Sequence, residues 1–452
     1  MTTEVVLLGS TGSIGTQALD VVGRANADEP GRFVVRALAA SGSRPELLAE
    51  QVAAHRPGVV GVADETNLAD VREALASALG AGAALPEIVA GTDASTELAG
   101  MLGGPGRTAD DDEPQSRRRR TAVSTATNRN LDESPEQSGP GDAYWEPPSA
   151  VVLNGITGSV GLRPTLAALA SGATLALANK ESLVAGGALV AQALTRPGQI
   201  IPVDSEHSAM AQALGGVRHE KGLTSPVVTG VSDVRRLVLT ASGGPFRGRT
   251  RDQLADVTVE QALAHPTWAM GPVVTINSST LMNKALELAE ASLLFDVAPD
   301  DITVVVHPQS IVHSMIESVD GSTLAQASPP DMRLPIALGL SWPRRLPGVA
   351  TPCAWDAATS WTFEPLDDAT FPAVSLVRSA LTASATHPAV VNAANEEAVA
   401  GFIAGRLPYL GILDVVERVL AEHDGVAQPV LADVEAAESS ARARARELVA
   451  AA

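Results

Sequence analysis

The 452-residue chain predicts an α/β protein built on a doubly wound parallel sheet, with a second α/β domain and a helical C-terminal region after it. Three observations carry that expectation. Short β-branched runs at 4–9 and 33–40 flank a helical stretch opening at Ser13 to Gly15, which reads as a βαβ unit. Apolar runs at 58–62, 87–90, 150–154 and 174–178 then alternate with Ala/Leu-rich helical text. After residue 370, Ala, Leu, Val and Glu recur at helical spacing.

Taken in order, the first layer is expected to span 1–203 and to end near Val203. Residues 102–148 interrupt it with Pro, Gly, Ser, an acidic run from Asp110 to Glu113 and a basic run from Arg117 to Arg120. No periodicity survives there, so a disordered surface insertion is expected. Runs at 236–241 and 302–306 read as strands of a second sheet, with a long helix from about 280 to 295 between them, giving a domain over 204–342. Pro343, Pro347, Pro352, Trp355 and Trp361 mark 343–365 as a connector, and 366–452 as a small helical domain.

Charge and cysteine usage narrow the function. Lys and Arg number 32 against 52 Asp and Glu, a net charge of −20 that repels a phosphate backbone, so no nucleic-acid partner is expected. Cys353 stands alone, which leaves no intramolecular disulfide and no thiolate-based zinc site. The N-terminus has no basic stretch ahead of an apolar one. The longest apolar stretch, 166–178, is broken by Ser171, Gly172 and Thr174 and falls short of the roughly 20 residues of a bilayer span. A soluble cytoplasmic protein without a membrane partner is the expectation.

Five segments carry candidate chemistry. Gly9-Ser10-Thr11-Gly12-Ser13-Ile14-Gly15 follows the first strand and opens a helix, where glycines allow close approach and free N–H groups hold a pyrophosphate. A plain strand-to-helix turn would use the same residues. After the second strand, Ser41-Gly42-Ser43-Arg44 offers hydroxyls and a guanidinium instead of a carboxylate, which favours a 2′-phosphate and so NADP over NAD. In Pro202-Val203-Asp204-Ser205-Glu206-His207 the two carboxylates are i and i+2, on one side of an extended segment, and suit Mg²⁺ or Mn²⁺. A helix N-cap explains the same text. In 277–287, Ser and Thr at a helix start offer anion donors, and Asn283, Lys284 and Glu287 share one helical face. Lys-Glu pairs are also ordinary surface decoration. Thr240 to Phe246 runs into a glycine turn, and His265, Trp268 and Met270 form the mixture a mobile lid over a small substrate needs. His307 and His313, behind an apolar run, read as core or interface residues.

Together these segments resemble one family, the 1-deoxy-D-xylulose 5-phosphate reductoisomerases. The matching text is GSTGSIG at 9–15, LANKESLVAGG at 177–187, PVDSEH at 202–207, SGGPF at 242–246, HPTWAMG at 265–271, NSSTLMNKALE at 277–287, HPQSIVHS at 307–314 and NAANEEA at 392–398. The resemblance implies a Rossmann-like NADPH domain, a central α/β catalytic domain with a mobile lid, a connector, a C-terminal helical bundle and a homodimer. It implies a phosphosugar substrate, rearranged in its carbon skeleton and then reduced by NADPH to 2-C-methyl-D-erythritol 4-phosphate. It places a divalent metal, Mg²⁺ or Mn²⁺ with Co²⁺ as a further option, on Asp204, Glu206 and Glu287. Ser205, Asn283 and Lys284 are implied at the substrate hydroxyls, and Ser242, Ser278, Asn283 and Lys284 at its phosphate, with His265 closing from a lid that also carries Trp268 and Met270. Lys284 and His265 join the acidic residues as catalytic candidates. Thr11, Gly12, Ser13 and Ile14 are implied at the cofactor pyrophosphate, and Asn179, Lys180, Glu181 and Gly271 near the nicotinamide end. Ser41, Gly42, Ser43 and Arg44 fall at the 2′-phosphate, where this chain departs from the commoner family text. A stretch as large as 102–148 is a further departure.

Two other classes compete with this reading. NADP-dependent semialdehyde dehydrogenases begin with a similar glycine turn but need a cysteine nucleophile, and Cys353 lies in the connector without a nearby histidine motif. A non-enzymatic NADP-binding protein would make the carboxylates dispensable.

Overall fold

A computed structural model describes residues 2–80, 82–102, 148–268 and 270–452. The stretch singled out at 102–148, with its Asp110–Glu113 and Arg117–Arg120 runs, lies outside the described residues except at its two ends.

The chain opens with β1 (Thr3–Leu8), α1 (Ser13–Asp28), β2 (Phe33–Ala40), α2 (Pro45–His55), β3 (Val59–Val62), α3 (Leu68–Leu79), β4 (Glu87–Ala90) and α4 (Ala94–Ala99). It continues through β5 (Ala150–Asn154), α5 (Leu162–Ala170), β6 (Thr174–Leu177), α6 (Lys180–Ala193), β7 (Ile200–Pro202) and α7 (Ser205–Leu214). The seven strands form one parallel sheet in the order β4-β3-β2-β1-β5-β6-β7. Successive side chains of a strand point to opposite faces, and both faces here are covered. Val5 and Leu7 pack with Val22 of α1, Leu48 of α2 and Leu75 of α3. Val6 and Leu8 lie in the opposite core with Leu98 of α4, Leu169 of α5 and Leu183 of α6. That is why the β1 text is apolar without alternation. The strand order reverses between β1 and β5, so the crevice beyond their C-terminal ends is where such a sheet takes a ligand.

The second part holds β8 (Val234–Ala241), α8 (Val259–Leu263), α9 (Pro272–Ser279), α10 (Met282–Phe295), β9 (Ile302–Val306), β10 (Val312–Ser318), β11 (Thr323–Ala327), α11 (Arg333–Ser341) and β12 (Glu364–Pro365). Its sheet runs β11-β10-β8-β9-β12, with β8 and β9 parallel and the other neighbours antiparallel. Four helices close the chain: α12 (Ala373–Ala383), α13 (His387–Ile403), α14 (Gly411–Ala421) and α15 (Leu431–Ala450).

The structure redraws three expected boundaries. The helix expected from about 280 to 295 is α10, and Leu281, at a left-handed φ of 60°, separates it from α9, which holds the Ser278 and Ser279 expected at its start. Helix α11 does not belong to the second sheet; Ile336, Ala337 and Leu340 bury themselves with Val5, Leu7 and Val203 on the first. The connector is not merely a spacer, since Glu364 and Pro365 pair with Val306 and Val305 at the edge of the second sheet. Apolar burial decides the place of α11 and backbone pairing that of β12, and the partners of both are distant in sequence. The C-terminal helices are likewise not detached: α12 packs on α10 and α13 on α6, within one continuous core.

Candidate functional site

A cavity of about 840 Å³ runs from the sheet's reversal point to the start of α10. At one end lies the glycine turn. Gly9 takes φ 81°, and a Cβ there would stand 2.7 Å from the carbonyl oxygen of Gly155, so the turns after β1 and β5 touch through backbone. A Cβ on Gly15 would meet the Gly9 carbonyl at 2.4 Å, which fixes the close seat of α1 against its strand. Gly12 caps α1 without any side-chain hydrogen bond, so the first amides of the helix remain free for an anion. Gly12, Ser13 and Ile14 line the cavity; Thr11 is buried behind them.

The cavity's centre is acidic. Asp204 is the N-cap of α7, its carboxylate accepting from the Ser205 amide at 3.0 Å, and Glu206 follows in the first helical turn. Of the two readings the sequence left open, an extended i, i+2 pair and a helix N-cap, the structure takes the helix start, and the cap and the convergence are the same feature. Glu287 comes from the middle of α10 and is 1% exposed. Asp204, Glu206 and Glu287 each bring a carboxylate oxygen within 4.8 Å of the others. Two ammoniums hold this charge. Lys180 Nζ lies 2.7 Å from Asp204 and 3.0 Å from Glu287, and Lys284 Nζ lies 2.7 Å from Glu206 and also donates to Glu287. Asn283 donates to Glu287 and accepts from Lys180 at 3.0 Å, and Ser205 donates to Glu206 at 2.5 Å.

The electrostatics follow from burial among opposite charges. Burial alone raises the Asp204 pKa, but Lys180 and then His207 outweigh it and bring it down to about 2. Glu206 is likewise lowered, burial being overcome chiefly by Lys284. Glu287, the most buried of the three, is pushed up by burial first and by Glu206 second. Burial pulls both lysines down, yet the carboxylates reverse it and leave Lys180 well above its ordinary value and Lys284 raised. Three carboxylates against two ammoniums leave a formal charge of −1, a set of hard oxygen donors that fits Mg²⁺ or Mn²⁺.

The third region joins two turns. Ser242 Oγ at the end of β8 accepts from the Gly244 amide at 3.3 Å and sits 3.1 Å from His265 Nε2. His265 Nδ1 accepts from the amides of Thr267 and Trp268, at 3.1 and 2.9 Å, so the ring proton belongs on Nε2 and points at Ser242. Burial lowers the His265 pKa, in keeping with a neutral ring. Ser278, near the end of α9, faces the same cavity with Asn283, Lys284, Trp268, Met270 and Gly271.

Several expected residues stand elsewhere. Asn179 is consumed as the N-cap of α6: its Oδ1 accepts from the Ser182 amide at 2.7 Å and its Nδ2 donates to Gly158 at 2.8 Å, so it does not line the cavity. Lys180 lines the cavity as part of the acidic cluster, and Glu181 lines it as well with its carboxyl raised by burial. Ser41, Gly42, Ser43 and Arg44 lie outside the cavity proper; Ser41 and Ser43 hydroxyls pair at 2.9 Å, and Arg44 reaches back to the Thr11 carbonyl. Arg44 thus ties the loop after β2 to the glycine turn. His307 is a buried anchor as expected, its ring held between Thr362 and the amides of Ile311 and Val312. His313, read as a core or interface residue, is buried but also lines the cavity beside Trp268.

The sequence reading passed over His207 and Glu290. His207 is fully buried, with Nε2 2.8 Å from the Glu287 carbonyl and Nδ1 3.1 Å from Glu290 and 3.7 Å from Asp204. Burial raises the Glu290 pKa to about 7. Helical spacing held the signal, since Asn283, Glu287 and Glu290 fall on one face of α10. Gly155 to Thr157 and Pro330 to Arg333 also line the cavity, and nothing in their local text marks them.

Comparison with known proteins agrees along the chain. The 1-deoxy-D-xylulose 5-phosphate reductoisomerase family model matches residues 5–106 and 118–187, its C-terminal domain model 200–295, and a further C-terminal domain model of that enzyme 327–444. The break in the first match, 107–117, is far shorter than the stretch that composition sets apart. The reductoisomerase of Beutenbergia cavernae is 58% identical over 99% of this chain and 97% of its own length. That of Kitasatospora griseola is 54% identical over 99% of this chain and 100% of its own. The solved Zymomonas mobilis reductoisomerase in complex with NADPH is 34% identical, with a TM-score of 0.76 over 99% of both chains. A reductoisomerase solved with NADPH, fosmidomycin and magnesium is 29% identical, with a TM-score of 0.76 over 99% of this chain and 98% of that one.

Proposed function

The chain belongs to the 1-deoxy-D-xylulose 5-phosphate reductoisomerase family, and on that premise we propose how its own residues divide the work. The enzyme isomerises 1-deoxy-D-xylulose 5-phosphate and reduces the product with NADPH to 2-C-methyl-D-erythritol 4-phosphate, in a divalent-metal-dependent reaction. The observation that carries the assignment of residues is one continuous cavity with a free helix N-terminus at one end and three converging carboxylates at its centre.

Gly12, Ser13 and Ile14 present the α1 amides to the cofactor pyrophosphate, with Thr11 shaping the turn, and Ser41 to Arg44 lie beyond it for the 2′-phosphate. Asp204, Glu206 and Glu287 would hold the divalent cation. When bound, Mg²⁺ or Mn²⁺ supplies Lewis acidity toward adjacent carbonyl and hydroxyl oxygens of the substrate. Lys180 and Lys284, kept protonated by the carboxylates around them, donate from Nζ to substrate oxygens and keep the cluster compact. Ser205 and Asn283 orient substrate hydroxyls. Ser242, Ser278 and the Nε2–H of His265 bind the phosphate, drawing its charge toward the neutral end of the cavity. Trp268, Met270 and Gly271 cover the space between substrate and nicotinamide, and water excluded there cannot intercept the aldehyde before hydride arrives.

A dehydrogenase working through a cysteine nucleophile is disfavoured, because Cys353 does not line this cavity. Among the described residues no helix is long and apolar enough to cross a membrane. A cytoplasmic location suits that and the lone Cys353. A homodimer is the proposed assembly: β11 ends its sheet with Thr323, Leu324 and Ala325 exposed next to exposed Val319, an edge that pairing would cover. The test of function is NADPH oxidation with 1-deoxy-D-xylulose 5-phosphate, with and without a chelator. Turnover that stops with chelator and returns with Mg²⁺ or Mn²⁺ supports the assignment; turnover indifferent to chelator overturns it.

A further inference from the structure

The C-terminal helical region contributes no residue to the cavity lining, yet two of its buried polar side chains end on the cavity's phosphate wall. That wall is made of two turns, one carrying Ser242 and the other Ser278. They touch through backbone: Gly244, at φ 65°, lies so close to Ser278 that a Cβ would stand 2.7 Å from the Ser278 carbonyl oxygen. The second turn is strained, because Leu281 occupies the left-handed region without being glycine. Such a residue persists only where its surroundings over-determine the backbone.

Tyr409, in the loop between α13 and α14, supplies part of that constraint. It is 3% exposed, and its hydroxyl donates to the Ser279 carbonyl at 2.7 Å, next to Ser278. Its ring meets Phe246 edge-on, with centroids 5.1 Å apart, and Phe246 closes the turn that begins at Ser242. Phe402 of α13 holds the ring from another side at 5.8 Å. One side chain thus contacts both turns from outside the cavity. Asn395, in the NAANEEA segment that no catalytic role absorbed, makes a second tie: its Nδ2 donates to Asn277 Oδ1 at 2.9 Å, one residue before Ser278, and both are buried.

We propose that Tyr409 is a positioning residue for phosphate recognition, clamping the Ser242 and Ser278 turns in register through the Ser279 carbonyl and Phe246. Asn395 secures the same wall at Asn277. The inference rests on the phosphate assignment made above. It predicts that loss of the Tyr409 hydroxyl loosens the phosphate subsite while the cofactor end and the acidic centre of the cavity keep their geometry.

The experiment compares the native enzyme with Tyr409→Phe and Ser278→Ala, measuring KM for substrate, the inhibition constant of inorganic phosphate, KM for NADPH and the affinity for Mn²⁺. Tyr409→Phe is expected to raise the substrate and phosphate constants about fivefold, the factor that one neutral hydrogen bond commands. NADPH and Mn²⁺ constants should stay within about twofold. If Ser278→Ala weakens phosphate and Tyr409→Phe does not, the positioning role is overturned and the pocket stands. If neither weakens phosphate, the pocket assignment fails and the inference with it. A parallel loss of phosphate, NADPH and Mn²⁺ binding would show a general structural role and overturn the proposal. Should Tyr409→Phe not fold, Asn395→Ala is read by the same criteria.

Discussion

Glu287→Gln isolates the charge of the most buried carboxylate while keeping its shape. In the native chain Glu287 accepts from Lys180 at 3.0 Å, from Lys284 and from Asn283. Its loss leaves neither ammonium stranded, because Lys180 retains Asp204 at 2.7 Å and Lys284 retains Glu206 at 2.7 Å. The cost to the fold is therefore about 1–3 kcal/mol rather than the penalty of an unpaired buried ion. The cost to cation binding is larger. At an effective dielectric near 20, two unit charges about 4 Å apart interact by roughly 4 kcal/mol, hence roughly 8 kcal/mol for a divalent cation. The glutamine oxygen and the ammonium contacts no longer broken on binding return about half, which leaves a loss on the order of 10³-fold in affinity. Calorimetric titration with Mn²⁺ measures it, with NADPH titrated in parallel and unfolding followed by denaturant. An Mn²⁺ dissociation constant within about tenfold of the native value would refute the reasoning, for the electrostatic loss would then be absent.

Three further outcomes are expected. Glu206→Gln should abolish turnover yet leave NADPH affinity unchanged in calorimetry, since Glu206 belongs to the acidic centre and the glycine turn lies at one end of the cavity; lost NADPH binding would contradict that separation. Arg44→Ala should raise KM for NADPH by about 10–100-fold through one lost charge-assisted contact, and leave KM for NADH nearly unmoved. Equal effects on both cofactors would remove Arg44 from the 2′-phosphate. His387 and His423 meet edge to face with ring centroids 4.9 Å apart; burial, then the His423 charge, lowers the first, and burial lowers the second below 6.5 despite Asp424. The unfolded chain then binds protons more readily than the folded one, so stability is full above about pH 6.5 and drains as the pH falls below that value. Melting measured from pH 7 to 5 should show a shallower decline for His423→Gln, and equal slopes would show that the pair does not contribute.

What was legible in the sequence was local. The βαβ opening, its glycine turn and the carboxylate-bearing segments each show in a window of a dozen residues, because helix starts and tight turns impose their own residue types. The acidic pair at Asp204 and Glu206 was visible, but its geometry was not: an N-cap and an extended strand place the same letters differently, and only the packing of α7 decides between them. The break at Leu281 was invisible for a related reason. Leucine is a strong helix former, and its left-handed turn exists because Gly244 and Tyr409 confine the backbone beside it. Helix α11 carries a helical pattern that does not say which sheet it covers. His207 and Glu290 escaped notice because their meaning depends on a contact between α7 and α10 some eighty residues apart.

The central claim is that Asp204, Glu206 and Glu287 surround one divalent cation within reach of the nicotinamide. Anomalous scattering from Mn²⁺ in a crystal of the NADPH complex tests it most directly. A single strong peak within coordination distance of one oxygen from each carboxylate is the predicted result. A peak elsewhere, or Glu287 turned toward Lys180 and Lys284 with the ion bound to other groups, would contradict it.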